Sequence, residues 1–248
     1  MNCMPNRLVL LAHPDDEMLC LPFLMDSRQA SSGTDFYLYL CLNSAPSLRR
    51  EEAKKAIAFL GLSLRRSELV NHALPIRDGK GWLDFKSNDL HTLFNLLDSL
   101  QLGSILSFAY EGGHQDHDLA HVISRRISSQ LDIPFIEFSG YRKHPHLPFF
   151  IVSQPRSKLK KVNFSRFTAI SLFFNLAGIH RTQTRVWFML GVPILIRLIS
   201  GVAFSADSNP HSLRLAKGAY LYELRRKASR DAVENEILRF VDSGNGER

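Results

Sequence analysis

The chain has 248 residues, of which 45% are hydrophobic and 22% are charged, and its formal net charge is +7. This length and composition are those of a globular protein with a sizeable core, and they exclude the disordered and low-complexity classes. The positive charge permits an anionic partner. The sequence has no zinc-finger spacing, no aromatic RNA-binding motif and no long Lys/Arg block, so we expect no nucleic-acid partner.

The cysteines and the N-terminal residues bear on the cellular compartment. Cys3, Cys20 and Cys41 are odd in number and form no CxxC pair, which predicts reduced thiols in the cytoplasm. Three consecutive acids at 15–17 interrupt the first apolar run before any cleavage-site pattern, so we expect no signal peptide.

The first predicted element is a buried strand at 8–12, and the motif His-Pro-Asp-Asp-Glu follows it at 13–17. Ligands of open α/β sheets bind at the carboxyl ends of strands. Imidazole nitrogen and carboxylate oxygen suit zinc or a similar divalent ion, which in catalytic sites usually takes three protein ligands. The alternative is an acidic turn that caps a helix starting near Glu17, although capping needs only one acid and no histidine.

Helices and strands alternate in the segments that follow. Strands that alternate with helices imply parallel βαβ units, so we predict an α/β, Rossmann-like three-layer fold with a mostly parallel sheet. The predicted elements are a helix at 17–26, a strand at 36–42, a helix at 47–60, a strand at 69–74, a helix from 87 to 100, a strand at 105–110, a helix through 127 and a strand at 134–139.

A second polar cluster, at 111–118, follows the strand predicted at 105–110. Its paired glycines allow a sharp turn, and His114 and His117 share a face if a helix begins there. His117 and His121, four residues apart, would also form a good chelating pair on a helix. The two strand-end clusters can therefore meet and complete a metal site.

The combination of His-Pro-Asp-Asp-Glu with a later His-x-x-His resembles the N-acetylglucosaminyl-phosphatidylinositol de-N-acetylase family, also called PIG-L or LmbE-like. The resemblance covers roughly residues 7 to 142 and includes an Arg-x-Glu-Glu-Ala pattern from Arg49. We therefore expect a single deacetylase domain over 1–248, with an α/β core at 1–142 and a divergent, helical C-terminal portion at 143–248.

The resemblance implies a zinc-dependent hydrolase that removes the N-acetyl group from an N-acetylglucosamine-type sugar or glycoconjugate. Another divalent ion such as Fe2+ would also suit these ligands. Two other hypotheses are a non-catalytic metal-binding subunit of the same fold and a metal-dependent hydrolase of another bond, such as a phosphoester. Two-metal phosphoesterases usually have more ligands than this sequence offers.

The resemblance also implies residue roles. His13, Asp16 and His117 would bind the metal, with His117 favoured over His121. Asp15 would be the general base, and His114, as an imidazolium, would stabilise the oxyanion or protonate the leaving amine.

Further roles follow from the same resemblance. Asp116 would orient a histidine, and Arg49 and Asp78 would contact substrate. From the residues alone, Arg49 could equally pair with a neighbouring glutamate, and Asp78 could simply form a turn. A tyrosine near the carbonyl oxygen is also implied, with Tyr110, Tyr141, Tyr220 and Tyr222 as candidates. We expect surface or core positions for the remaining histidines, namely His72, His91, His144, His146, His180 and His211.

The C-terminal portion contains an apolar stretch, 186–204, whose one charge is Arg197. We predict a helix that covers the core here, since apolar stretches of a globular chain are usually buried. The alternative is a peripheral membrane contact, because basic residues precede the stretch and Pro193 and Arg197 argue against a spanning helix. One or two further helices are predicted from about 212 to 241.

Overall fold

The computed structural model describes residues 6–26, 33–72, 74–140, 142–143, 150–151, 159–208, 231 and 235. Helices and strands alternate along most of this chain. In order they are β1 (Asn6–Leu11), α1 (Glu17–Leu24), β2 (Asp35–Tyr39), α2 (Ser47–Ser63), β3 (Ser67–Leu69), α3 (Gly81–Asp84), α4 (Ser87–Asp98), β4 (Leu102–Phe108), α5 (Gln115–Leu131), β5 (Phe135–Phe138), β6 (Arg142–Lys143), β7 (Phe150–Ile151), β8 (Leu159–Lys161), α6 (Arg166–Ile179), α7 (Thr184–Ser200) and β9 (Phe204–Ser208).

The main sheet has seven strands in the order β3-β2-β1-β4-β5-β9-β8. The first five are parallel, whereas β9 pairs antiparallel with both β5 and β8. This mostly parallel sheet, with helices on both sides, confirms the predicted α/β, Rossmann-like fold.

The strand order determines where a site can form. The chain runs outward from β1 to β3 and then returns to β4, so the order reverses between β1 and β4. Right-handed crossovers place α1 and α2 on one face of the sheet and α4 and α5 on the other. Ligands of such sheets bind where the order reverses, at the carboxyl ends of the strands. The loops after β1 and β4 carry the two predicted polar clusters.

The core is built on β1 and α1. Leu8, Val9, Leu10 and Leu11 have no exposed surface, and every residue of α1 is buried. A central parallel strand is covered on both faces, which is why residues 8–11 of β1 form a continuous apolar run rather than an alternating one.

One predicted strand was wrong in position, and two strands were missed. The third strand was expected at 69–74, but β3 is a three-residue strand at the edge of the sheet, Ser67–Leu69. All three of its residues are only partly buried, so it lacks the apolar run of an inner strand. The antiparallel strands β8 and β9 were not anticipated. The helices predicted from about 212 to 241 lie outside the described residues, apart from 231 and 235.

The C-terminal portion packs onto the core through its helices. Helices α6 and α7 contact each other, and α6 also contacts α1 and α2. Within the described residues, no helix has both the length and the apolar character needed to cross a membrane.

Candidate metal and catalytic site

The loops after β1 and β4 bring the three predicted metal ligands together. His13, Asp16 and His117 are each about 95% buried. Asp16 Oδ2 lies 3.5 Å from His13 Nδ1, and Asp16 Oδ1 lies 3.2 Å from His117 Nε2. His114 is a neighbour, because ring nitrogens of His13, His114 and His117 lie within 4.8 Å of one another.

The chemistry of these donors fits a divalent ion. Two imidazoles with a carboxylate, or three imidazoles, are both ligand sets that zinc and similar ions accept. Burial opposes the ionisation of Asp16, but its contacts with His117 and His13 outweigh burial and hold the pKa of that carboxyl well below its usual range. The carboxylate is therefore ionised at neutral pH, as a metal ligand must be.

Asp116 fixes the orientation of His13. Its Oδ2 lies 2.9 Å from His13 Nε2 and accepts a hydrogen bond from the Gly79 amide at 2.6 Å. Its Oδ1 accepts another from the Gly81 amide at 2.9 Å. Since Nε2 is used by Asp116, Nδ1 of His13 faces Asp16, which is the arrangement of a carboxylate behind a metal-binding histidine.

A substitution at Gly81 tests whether Asp116 orients His13. A Cβ at Gly81 would stand 2.7 Å from Asp116 Oδ1 and 2.8 Å from a methyl group of Leu119. We expect Gly81→Ala to displace Asp116 and lower metal affinity about 10–100-fold, the usual cost of losing such a partner. Equilibrium dialysis with the metal measures this affinity. Gly178→Ala is the matched control, because a Cβ there meets nothing within 4 Å. Equal affinity in both variants would contradict the role of Asp116.

Asp15 lies beside the candidate metal ligands and pairs with Arg49. Arg49 Nη2 donates to Asp15 Oδ1 at 3.0 Å, and the same guanidinium donates to Asp78 at 3.2 Å and to the Pro14 carbonyl at 3.3 Å. Burial, reinforced by Asp16, raises the pKa of Asp15 to about 7 in spite of Arg49. Its backbone has a φ of 121°, a conformation rare outside glycine and typical of functional sites.

Arg49 and Asp78 lie beside the cluster and contact each other. The structure pairs Arg49 with two site carboxylates and not with a glutamate of its own helix. Asp78, whose side chain is 56% exposed, also lies 3.3 Å from His13 Nε2. Contacts with His13 hold the pKa of Asp78 well below its usual range.

His114 differs from the expected imidazolium. Its side chain caps α5 by accepting a hydrogen bond at Nδ1 from the Asp116 amide, 3.3 Å away. Burial and the charge of His13 lower the pKa of His114 to about 3. His114 is therefore neutral at pH 7, and because Nδ1 is the acceptor, its proton lies on Nε2.

His121 lies outside the cluster of candidate metal ligands. Its Nδ1 lies 2.9 Å from the Phe108 carbonyl oxygen and 3.7 Å from Glu137, and burial lowers its pKa. Tyr110 packs its ring against that of His121, 5.8 Å away. The other candidate tyrosines, Tyr141, Tyr220 and Tyr222, and the histidines His144, His146 and His211 lie outside the described residues.

Sequence reasoning missed the role of Glu17. Its fully buried carboxylate accepts hydrogen bonds from the Asp15 amide at 3.1 Å and from the Tyr39 hydroxyl at 2.9 Å. It also contacts Nε2 of His180, which is fully buried at the end of α6. No signal near His180 in the sequence could have linked it to a residue 163 positions earlier.

A cavity of about 110 Å³ adjoins the cluster. One side is lined by the charged residues of the site, and the other by residues from the C-terminal portion, namely Gln183, Val186, Trp187 and Leu190. The backbone N–H of Thr182 donates to Glu52 of α2 at 3.0 Å, which attaches this portion beside the site. The C-terminal helices therefore form one wall of the candidate active site.

No family model and no curated protein matches the sequence. Solved structures do match. The A40926 pseudoaglycone deacetylase Dbv21 is 14% identical, with a TM-score of 0.53 over 86% of this chain and 100% of that one. A deacetylase in complex with teicoplanin is 12% identical, with a TM-score of 0.52 over 82% and 99%. A zinc-inhibited form of teicoplanin deacetylase Orf2 is 12% identical, with a TM-score of 0.51 over 82% and 99%. The chain therefore has the fold of these deacetylases.

Proposed function

We propose that the protein is a metal-dependent N-deacetylase that hydrolyses the acetamide of an N-acetylglucosamine-type sugar or glycoconjugate. The observation that carries the proposal is the placement of His13, Asp16 and His117 beside a separate buried carboxylate, Asp15, where the strand order reverses. Metal-assisted hydrolysis requires residues that hold the metal and a general base that accepts a proton from water. The deacetylase activity in the names of the structural neighbours points the same way.

His13, Asp16 and His117 would hold the metal, with His114 beside them. A divalent ion bound there would lower the pKa of a water molecule and polarise the acyl carbonyl.

Asp15 is suited to move the proton. As a carboxylate it would accept a proton from the attacking water while the water oxygen bonds to the acetyl carbon. It would then pass that proton to the amine as the C–N bond breaks, so that acetate and a free amine leave. Arg49, 3.0 Å from Asp15, holds the carboxylate in place throughout.

His114 would act as a neutral donor. With Nδ1 occupied by the Asp116 amide, the N–H at Nε2 is available to the carbonyl oxygen as negative charge develops on it. This replaces the imidazolium role that the sequence resemblance implies.

The cavity favours a small acyl group on a larger substrate. Pockets that enclose a whole drug-sized ligand have volumes of roughly 300–1,000 Å³, whereas this one has about 110 Å³. An acetyl group would enter it while the sugar and its aglycone remain outside. There the exposed Asp78 carboxylate, next to Arg49, could accept a hydrogen bond from a sugar hydroxyl.

The test is acetate release from a panel of N-acetylglucosaminyl compounds. Chelation should abolish release, and adding a divalent ion should restore it. Zinc should be titrated alongside Fe2+, because one structural neighbour is described in a zinc-inhibited form. Unchanged activity after complete metal removal would contradict the proposal. Metal binding without hydrolysis of the panel would favour a binding subunit, and hydrolysis of a phosphoester panel alone would favour the other hydrolase hypothesis.

A further inference from the structure

Helix α7 has two apolar faces, and the fold uses one of them. Leu190, Ile194 and Leu198 are buried against the rest of the protein. On the opposite side, residues at helical spacing are exposed: Phe188 by 88%, Val192 by 63% and Ile196 by 62%. Met189 and Ile199 extend this row. We call these five residues the outer face of α7.

The adjoining helix adds to the exposed apolar surface. Phe167 and Phe174 of α6, which packs against α7, are exposed by 89% and 58%. Soluble proteins rarely expose apolar side chains in continuous rows, and such rows mark sites where another molecule binds.

The charge around the outer face indicates what that molecule is. Residues 159–206 include six Lys and Arg residues, of which all but the buried Arg197 are exposed, and no acid. Arg185 lies on the same side of α7 as Phe188, three residues later, and the exposed Arg181 immediately precedes the helix. A symmetric dimer would bring this face against an identical one, and the described residues 159–206 offer no acid that could pair with its cations. An anionic partner with an apolar interior matches both features.

We propose that the outer face of α7 docks on an anionic membrane surface. The helix would lie in the interface, with Phe188, Val192 and Ile196 entering the acyl boundary and Arg181 and Arg185 meeting lipid phosphates. The same helix lines the cavity with Val186, Trp187 and Leu190, so docking would bring the candidate active site close to the membrane. The inference stands on exposure and charge and does not depend on the proposed activity.

Sedimentation with vesicles tests it. We expect the protein to sediment with vesicles of phosphatidylcholine and phosphatidylglycerol, less so at high salt, and weakly with phosphatidylcholine alone. Changing Phe188, Val192 and Ile196 together to serine should weaken binding more than tenfold, because each side chain contributes apolar burial. Arg181→Gln and Arg185→Gln should each weaken binding to the acidic vesicles about fivefold.

Exposed residues of α2 provide matched controls. Leu62, 91% exposed, and the exposed Lys55 lie on a different helix, so Leu62→Ser and Lys55→Gln should bind vesicles as the parent protein does. Phe188→Trp places a fluorescent reporter on the outer face, and its emission should shift to shorter wavelength when acidic vesicles are added.

Three results would overturn the proposal. One is failure to sediment with acidic vesicles at low salt. Another is an equal loss of vesicle binding in Leu62→Ser and in the triple serine variant. The third is a parent protein that is dimeric by analytical ultracentrifugation and becomes monomeric in the triple variant with no change in vesicle binding, which would show that a second copy covers the face. None of these measurements uses activity, so they are independent of the deacetylase proposal.

Discussion

Replacing Asp15 by asparagine is expected to slow acetate release by about 10²–10⁴-fold, the range that general-base catalysis contributes, while metal remains bound. Asparagine keeps the shape of the side chain and an oxygen that can accept from Arg49, 3.0 Å away, but it cannot take a proton from water. The measurement is kcat on the best substrate of the panel, with metal content determined on the same sample.

Asp78→Asn is the comparison for this variant. Asp78 contacts the same guanidinium, at 3.2 Å, but has no proton-transfer role in the mechanism, so its loss should act mainly on KM. Metal loss in Asp15→Asn would make Asp15 a ligand instead of the base. Equal falls in kcat for both variants would show that the position of Arg49, and not the chemistry of Asp15, had been measured.

The architecture could be predicted because the inner strands carry strong local signals. Strand β1 ends in an uninterrupted apolar run at 8–11, and β4 ends in four buried residues before a polar loop. The two polar clusters follow these strands directly, so the βαβ rules alone place them at the same edge of the sheet.

The rest of the sheet depends on contacts that the local sequence does not show. Strand β3 is only partly buried at the sheet edge, and its side chains lack the apolar pattern of the inner strands. Strand β9 joins the sheet by pairing antiparallel with β5, about seventy residues earlier in the chain. Such pairing is decided by tertiary packing, which periodicity does not reveal.

In the candidate site, too, some features could be predicted from the sequence and others depend on tertiary contacts. The resemblance of the two motifs to a known family implied His13, Asp16 and His117 as ligands, whereas the ion pairs of Arg49 with Asp15 and Asp78 needed the folded chain. For Glu17 the sequence suggested no role beyond the alternative of an acidic turn that caps a helix starting near it. Its burial against His180 arises from the packing of α6 on α1, and no local pattern encodes that contact.

Removing the imidazole of His117 is expected to lower metal affinity by more than the roughly 10–100-fold lost with an outer-shell partner, and activity should fall with it. His121→Ala should leave metal binding nearly unchanged, since its Nδ1 is directed to the Phe108 carbonyl at 2.9 Å. Both histidines are buried, so truncation also affects folding in each case. Bound metal is therefore measured per folded protein, with the folded fraction taken from thermal unfolding.

A second variant separates coordination from packing at His117. Its ring stacks on that of Phe108 with centroids 3.9 Å apart and planes 5° apart. His117→Phe keeps an aromatic ring in this stack but has no nitrogen to offer a metal, so it should fold better than His117→Ala and bind metal no better. If His117→Phe retains metal while His121→Ala loses it, the third ligand is His121 and our choice between the two is wrong. If both retain it, His114 completes the site with His13 and Asp16, and the position of Asp16 beside His117, 3.2 Å apart, is a hydrogen-bonding contact alone.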